Sequence, residues 1–287
     1  MKSIKIDNLT KYYGTTLALD NVSMNIIPGK IYGLLGRNGA GKTTLLNMMT
    51  NKIYPTTGDV FIDGENVKDN DNVLGQIYYM MEMNLFPDYM RVNEGFKWTG
   101  EFYPEFDHEY ALRISDKFGL NTKKKIKDLS TGYRTIFKAI TTMATNAEMM
   151  IFDEPVLGLD ANHRDMFYKE LLTKYAEIEN TMIISTHLIE EIAEVLEQTI
   201  IIKSGKIIMD KSVEDLLESA YTVSGEAGNV EKYIASKSFT GMETIGKFKS
   251  VTVLEEYSER DSNRLSDLNL DVDKAELQKL FIALTNE

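Results

Sequence analysis

The sequence predicts an α/β fold, a mainly parallel sheet with flanking helices, followed by a small α+β appendage. Three observations predict it. A glycine-rich turn at residues 36–44 separates a short apolar run from a helical stretch. Further apolar runs then alternate with helical segments, the mark of a parallel sheet with helices packed on it. After about residue 217 that alternation gives way to a different mixture of strands and helices.

In chain order, residues 4–9 and 17–26 alternate apolar and polar side chains, the two-residue period of half-buried strands. Pro28-Gly29 breaks the chain before a strand at 31–35. A helix follows at 43–49 and a strand at 60–64. From about Pro87 to Asn146 the pattern turns helical and polar, with aromatics at Phe96, Trp98, Phe102, Tyr103, Phe106 and Tyr110. That insert separates an apolar run at 77–80 from a second at 149–152. A helix over 161–178, a strand over 181–185, a helix over 189–198 and a hairpin over 199–210 around Ser204-Gly205 complete a domain of residues 1–217. In the remainder, 218–287, strands are expected at 221–225 and 248–254 and helices at 229–236 and 274–284.

Composition narrows the function classes. A formal net charge of -12 leaves little to neutralise a phosphate backbone, so no nucleic-acid partner is expected. The absence of cysteine excludes disulfides and cysteine metal sites. Residues 1–7 lack the apolar core of a signal peptide, and no apolar run reaches the roughly 18 residues of a membrane span. Any membrane connection is therefore expected through a partner. The methionines read as core fillers.

Gly36-Arg37-Asn38-Gly39-Ala40-Gly41-Lys42-Thr43-Thr44 fits the Gly-x-x-x-x-Gly-Lys-Thr phosphate loop. A turn from strand to helix leaves backbone N–H groups free to converge on phosphate oxygens, and the helix N-terminus adds partial positive charge. Gly36, Gly39 and Gly41 are expected to keep Cβ atoms out of the space the phosphates need. Lys42 is placed to reach the β- and γ-phosphates and Thr43 to ligate Mg²⁺, with Asn38, Ala40 and Thr44 completing the nucleotide-binding set. No Asn-Lys-x-Asp guanine reader is present, which favours ATP over GTP.

Asp153 and Glu154 end the apolar run at 149–152, the end of a strand where ligands sit in an open α/β sheet. Asp153 is placed to hold Mg²⁺ through water. Glu154 is placed to polarise the attacking water as general base, a role typically worth about 10²–10⁴-fold in rate. His187 ends another apolar strand; alone it reads as structural, but beside these motifs it is placed to contact the γ-phosphate and the attacking water. His108 and His163 are expected to take no catalytic part.

The order of these pieces resembles the nucleotide-binding domain of ATP-binding cassette (ABC) transporters. The resemblance rests on the phosphate loop, the helical insert, Leu129-Ser130-Thr131-Gly132-Tyr133, Asp153-Glu154-Pro155, Gly158-Leu159-Asp160 and Ser185-Thr186-His187, and it covers roughly residues 1–217. It implies a P-loop NTPase cassette with an antiparallel β subdomain and a helical subdomain at about 87–146, and ATP and Mg²⁺ as cofactors. In that family two cassettes pack head to tail, and each ATP lies between one phosphate loop and the partner's signature sequence. The resemblance therefore implies trans ATP contacts for Ser130, Thr131, Gly132 and Tyr133. Thr131 and Tyr133 depart from the usual Leu-Ser-Gly-Gly-Gln, which bears on how tightly this edge clamps nucleotide.

By the same resemblance, Asp160 communicates between the two ATP sites and Tyr13 stacks on adenine. Glu82 stands at the glutamine-loop position, where it touches Mg²⁺ and water. Its neighbours Met83, Leu85 and Phe86 either line a groove for a permease's coupling helix or pack beneath the helical insert. Residues 102–107, 129–138 and 154–164 resemble a bacterial subgroup linked with export of antimicrobial or amphipathic peptides, of the phenol-soluble-modulin exporter type. The implied partners are a second ABC ATPase, in a homodimer or heterodimer, and an integral membrane permease. That arrangement places the chain peripherally on the cytoplasmic face of the membrane. Two other readings stand beside it, a cytosolic ABC ATPase acting as a mechanochemical switch and a degenerate ATP-sensing module.

Overall fold

The computed structural model describes residues 3–286; Met1 and Lys2 of the N-terminal stretch, and Glu287, lie outside the described residues. Backbone contacts divide the chain into two compact units, residues 1–187 with 202–207, and residues 188–201 with 208–287.

The first unit opens with β1 (Ile4–Tyr13), β2 (Thr16–Ile26), β3 (Ile31–Leu35), α1 (Lys42–Met49), β4 (Thr57–Ile62), β5 (Glu65–Asn66), α2 (Asp71–Leu74) and β6 (Ile77–Met80). The helical insert holds α3 (Val92–Phe102), α4 (His108–Lys117) and α5 (Thr131–Ala144), followed by β7 (Met149–Asp153), α6 (Ala161–Ile178) and β8 (Thr181–Thr186). β1, β2, β4 and β5 form an antiparallel sheet in the order β2-β1-β4-β5. The alternation read from the sequence puts Ile4 and Ile6 of β1 inside, and a register shift between Ile6 and Leu9 breaks that period and brings Leu9 inside as well.

The other strands of this unit run parallel in the order β3-β8-β7-β6. Every residue of β3, β7 and β8 is buried, as a sheet covered on both faces requires. The register pairs Leu35 with Thr186 and Asp153 with Ser185. Three strand ends therefore deliver the phosphate loop, Asp153-Glu154 and His187 to one edge of the sheet. In the insert, Phe96, Phe106 and Phe137 pack together, with Phe96 and Phe137 ring centroids 5.5 Å apart. Each such buried ring contributes about 1.5–3 kcal/mol. Gly95 permits the packing, because a Cβ there would lie 2.8 Å from the Phe137 ring.

The second unit contains α7 (Ile189–Ile192), most of β9 (Gln198–Lys203) and β10 (Lys206–Ser212), then α8 (Val213–Glu218), β11 (Tyr221–Glu226) and α9 (Ala227–Ile234). β12 (Phe239–Ile245), β13 (Phe248–Val253), α10 (Glu259–Asp267), β14 (Asp271–Lys274) and α11 (Leu277–Thr285) complete it. An antiparallel sheet in the order β12-β13-β11-β14 packs Val223, Val251 and Val253 against Val230, Tyr233 and Leu265.

Several local expectations change. The helix expected over 189–198 stops at Ile192: Val195 N–H bonds Ile192 O three residues back, and the chain then extends into β9. Lys274, expected in a helix, ends β14 paired with Tyr221, and α11 starts at Leu277. β12 and α10 escaped the sequence reading. Gly241, at φ +60, marks a bulge that shifts the register of β12 and breaks its two-residue period. α10 is almost wholly polar and buries only Asp261 and Leu265.

Asp261 anchors a polar network inside this unit. Its Oδ1 accepts from Tyr233 Oη at 2.9 Å and lies 2.8 Å from Lys237 Nζ, and Tyr233 also bonds the Tyr221 hydroxyl at 2.9 Å. Burial alone would push the Asp261 carboxyl up, but hydrogen bonds from Lys237, Ser258 and Tyr233 outweigh it and hold it well below the usual carboxylate range. A depressed carboxyl stabilises the fold fully above its unfolded value near pH 3.9, and that stability is lost as pH falls toward the folded value. Asp261→Asn removes one of the two carboxylates on the Lys237 ammonium, leaving Glu255 Oε2 at 2.9 Å, and is expected to cost about 1–3 kcal/mol, with a shallower loss of stability in acid. Denaturant titrations of wild type and variant at pH 7 and pH 3 measure both effects; equal acid sensitivity would remove the network from the account.

Candidate nucleotide-binding site

The loop from β3 to α1 takes the left-handed backbone at Gly39, φ +80, and at Gly41, φ +112. The glycines act differently from the sequence expectation. A Cβ on Gly36 would lie 2.7 Å from the Ile202 carbonyl, and one on Gly41 2.7 Å from Leu19 Cδ2 and 2.9 Å from the Ala18 carbonyl. Those two clear space for the protein itself. Only Gly39 borders open space. Ala40 is buried, and its carbonyl accepts from Gly205 N–H at 2.9 Å.

Lys42, 7% exposed, donates to the Gly36 carbonyl at 2.7 Å, and its Nζ lies 3.9 Å from Glu154 Oε1. Burial pushes its ammonium down, while Glu154 and Asp153 pull it back. Thr43 Oγ1 donates to Asp153 Oδ2 at 2.9 Å, and Tyr79 donates to the same oxygen at 3.1 Å. Burial, then the Asp153 charge, raise the Tyr79 hydroxyl far above its ordinary value, which keeps it a donor. Asp153 is 2% exposed, and its Oδ1 is buried with no hydrogen-bond partner among the described residues. An orphaned carboxylate oxygen beside a threonine hydroxyl is a donor set that suits a hard cation.

Glu154 is held unusually. Its backbone is left-handed, φ 49, a conformation costing a non-glycine residue about 1–2 kcal/mol, and its N–H donates to Ser185 O at 2.9 Å. His187 Nδ1 lies 3.0 Å from both Glu154 carboxylate oxygens. A cleft of about 290 Å³ joins these groups; Asn38, Gly39, Gly41, Lys42, Thr43, Thr44, Glu82, Asp153 and Glu154 border it, with Ala18 and Arg37. Ala18, Arg37 and Tyr79 were missed in the sequence. Tyr79 of β6 is paired with Ile151 of the neighbouring β7, a neighbour relation that sequence spacing does not carry.

The other expected residues lie outside that cleft. Tyr13 is half exposed, with Lys11 Nζ 5.2 Å above its ring. Ser130 caps α5, its Oγ accepting from Tyr133 N–H at 3.3 Å. A Cβ on Gly132 would meet the Gly158 carbonyl at 2.8 Å, so the start of α5 lies tightly against the loop leading to Asp160. Asp160 caps α6 and faces His163 Nδ1 at 2.8 Å, and the His163 ring sits edge-on to Tyr133 at 6.0 Å. Hydrogen bonds from the His163 backbone and ring hold the Asp160 carboxyl low.

Beyond Glu82 an apolar groove of about 390 Å³ opens between β6 and the insert, with Met80, Met83, Leu85, Phe86, Trp98 and Phe102 on its walls. The two options for these residues divide between them. Met83 and Leu85 are 68% and 54% exposed, whereas Phe86 is buried against Phe137, ring centroids 4.8 Å apart. Among the described residues no helix is long and apolar enough to cross a membrane.

Residues 19–157 match the ABC transporter family. An uncharacterised ABC transporter ATP-binding protein of Methanocaldococcus jannaschii is 34% identical over 218 residues, spanning 74% of this chain and 79% of the relative. The chain belongs to the ABC transporter ATP-binding family. As an ABC cassette it is an ATPase, the nucleotide-hydrolysing kind of transporter subunit. The bacitracin transport ATP-binding protein BcrA of Bacillus licheniformis is 32% identical, covering 71% of this chain and 68% of that protein. Among solved structures, a dimeric ATP-binding cassette in a post-hydrolysis state with ADP and Pi superimposes with a TM-score of 0.65 at 24% identity, over 73% of this chain and 98% of that one. That likeness shows the ABC cassette fold.

Proposed function

We propose that this chain is the ATP-hydrolysing subunit of an ABC exporter that works as a dimer on a separate membrane permease and exports peptides or antimicrobial compounds. One observation carries the reading: Lys42, Thr43, Asp153 and Glu154 border a single cleft at the ends of parallel strands, with His187 Nδ1 3.0 Å from the Glu154 carboxylate. Two bacitracin transport proteins among the relatives support the cargo class.

In this reading, backbone N–H groups of residues 39–44 and the Lys42 ammonium take the β- and γ-phosphates, and Tyr13 stacks on adenine. Thr43 and the free Oδ1 of Asp153 hold Mg²⁺, with Glu82 at its edge. Bound there, the cation neutralises charge developing on the phosphate oxygens. Glu154 takes the proton of the attacking water, and His187 fixes the carboxylate and contacts the γ-phosphate. Ser130 to Tyr133 of one copy face the ATP of the other, and Asp160, packed beside them, links the two sites. ATP favours the closed dimer and hydrolysis reopens it. The exposed Met83 and Leu85 receive a coupling helix of the permease, which places the chain peripherally on the cytoplasmic face of the membrane.

Affinity purification of Glu154→Gln with Mg-ATP from detergent-solubilised native cells, read by mass spectrometry, tests the assignment. A polytopic membrane protein is expected in the eluate. Recovery of soluble partners alone would replace transport by the cytosolic switch. Tyr79→Phe removes one of the two hydrogen bonds on Asp153 Oδ2, a bond to a charged group worth about 1.5–3 kcal/mol. The expected result is a roughly tenfold weaker Mn²⁺ affinity in the ADP complex by electron paramagnetic resonance, with metal-free nucleotide affinity unchanged. Unaltered Mn²⁺ affinity would leave Tyr79 as packing.

A further inference from the structure

Lys138 lies on α5, two turns beyond Ser130, and its side chain leaves the helix toward the chain that follows β6. Its Nζ donates to the Met81 carbonyl at 2.8 Å and to the Glu82 carbonyl at 2.6 Å. These are consecutive peptide groups just past the end of a strand, where the chain bends away from the sheet. One ammonium that binds two successive carbonyls fixes both peptide planes, and bonds from a charged donor are about twice as strong as neutral ones.

The position is more informative than the bonds. Met81 lines the apolar groove and so does Lys138, whereas Glu82 borders the nucleotide cleft. The amine therefore grips the chain at the boundary between the two cavities. α5 itself packs on β6, which ends two residues before Glu82, and on β7, which ends at Asp153. Burial lowers the Lys138 ammonium, and Glu82 and Asp153 oppose that. A helix interior has many solvent-facing positions for a lysine; this one is instead spent across the sheet edge, on backbone.

We propose that Lys138 is a positioning residue that sets the Glu82 segment and carries nucleotide occupancy from the cleft to the apolar groove. A change in Glu82 on nucleotide binding moves the peptide groups that Lys138 holds, and through them the Met81–Leu85 wall of the groove. The inference rests on the cleft being a nucleotide site, and it is independent of the permease.

The chain supplies its own reporter. Trp98 is the only tryptophan, lies on the groove wall 45% exposed, and meets Phe86 edge-on at 5.8 Å. Mg-ATP is titrated into the full chain while Trp98 emission is followed, and binding is measured separately by calorimetry. Wild type is expected to show a saturable emission change. Lys138→Met is expected to lose at least about four-fifths of its amplitude while ATP affinity stays within twofold. Lys138→Arg, which keeps the charge and several donors, is expected to restore most of the amplitude, and Lys138→Gln, which is neutral and one atom shorter but still an N–H donor, part of it. Thermal melts select the variants that remain folded, and Lys138→Gln serves where Lys138→Met does not fold. A full-size emission change in Lys138→Gln or Lys138→Met overturns the inference, as does a wild-type Trp98 that stays silent on ATP binding. Parallel loss of ATP affinity and emission also overturns it, because Lys138 would then serve the cleft alone. Absence of ATP binding to wild type by calorimetry would sink the nucleotide-site reading instead.

Discussion

Glu154→Gln is expected to bind ATP with near wild-type affinity and to hydrolyse it about 10²–10⁴-fold more slowly. The amide keeps the shape of the carboxylate but cannot take a proton. The setting of Glu154 supports this separation of binding from turnover. Its carboxylate faces His187 at 3.0 Å on both oxygens and stands 3.9 Å from Lys42, while its backbone is held left-handed by the bond to Ser185 O. The phosphate loop does not depend on that side chain: Lys42 donates its shortest bond to the Gly36 carbonyl, and Thr43 donates to Asp153. Loss of one partner therefore leaves the cradle standing. His187→Ala gives a useful contrast, because it removes the group that holds the carboxylate without removing the base, so its turnover should fall less. Phosphate release at saturating Mg-ATP, beside calorimetric affinities, separates these cases. Turnover of Glu154→Gln near wild type would dismiss it as the base and move attention to a water held elsewhere in the cleft.

How much of this was legible in the sequence depends on distance along the chain. The phosphate loop, Asp153-Glu154 and His187 each lie at the end of an apolar strand that its own residues specify, so local pattern was enough. That these ends lie side by side was also implied by the alternation of strand and helix, which gives a parallel sheet. The reason for Gly36 and Gly41 was not legible, because the atoms they avoid belong to residues 18, 19 and 202. Tyr79 and Lys138 were missed for the same reason, since each acts across the sheet on residues distant in sequence. In the second unit β12 was hidden by its bulge at Gly241, and α10 by having almost no apolar face. Periodicity finds an element only when its burial is regular.

Lys42→Ala is expected to weaken ATP binding by roughly 10- to 150-fold, the equivalent of one charge-assisted hydrogen bond of about 1.5–3 kcal/mol. The variant poses a sharper question than loss of affinity, because Lys42 also has structural duties. It is almost fully buried and donates to the Gly36 carbonyl at 2.7 Å and, at 3.4 Å, to that of Arg37. Truncation leaves those acceptors without their donor, at a cost of about 1–3 kcal/mol. A collapsed loop would lose ATP and ADP alike. A loop that stands without its lysine should lose more for ATP, since the γ-phosphate is the group Lys42 reaches beyond the β-phosphate. Lys42→Arg refines the argument: the charge is retained, but a planar guanidinium is bulkier than an ammonium and does not fit a site closed by Gly36 O and Glu154. Calorimetric affinities of all three proteins for ATP and ADP, with thermal melts beside them, decide between the two. Equal losses for both nucleotides together with a lowered melting temperature would make Lys42 a brace of the loop; a larger loss for ATP at an unchanged melting temperature would make it the ligand of the γ-phosphate.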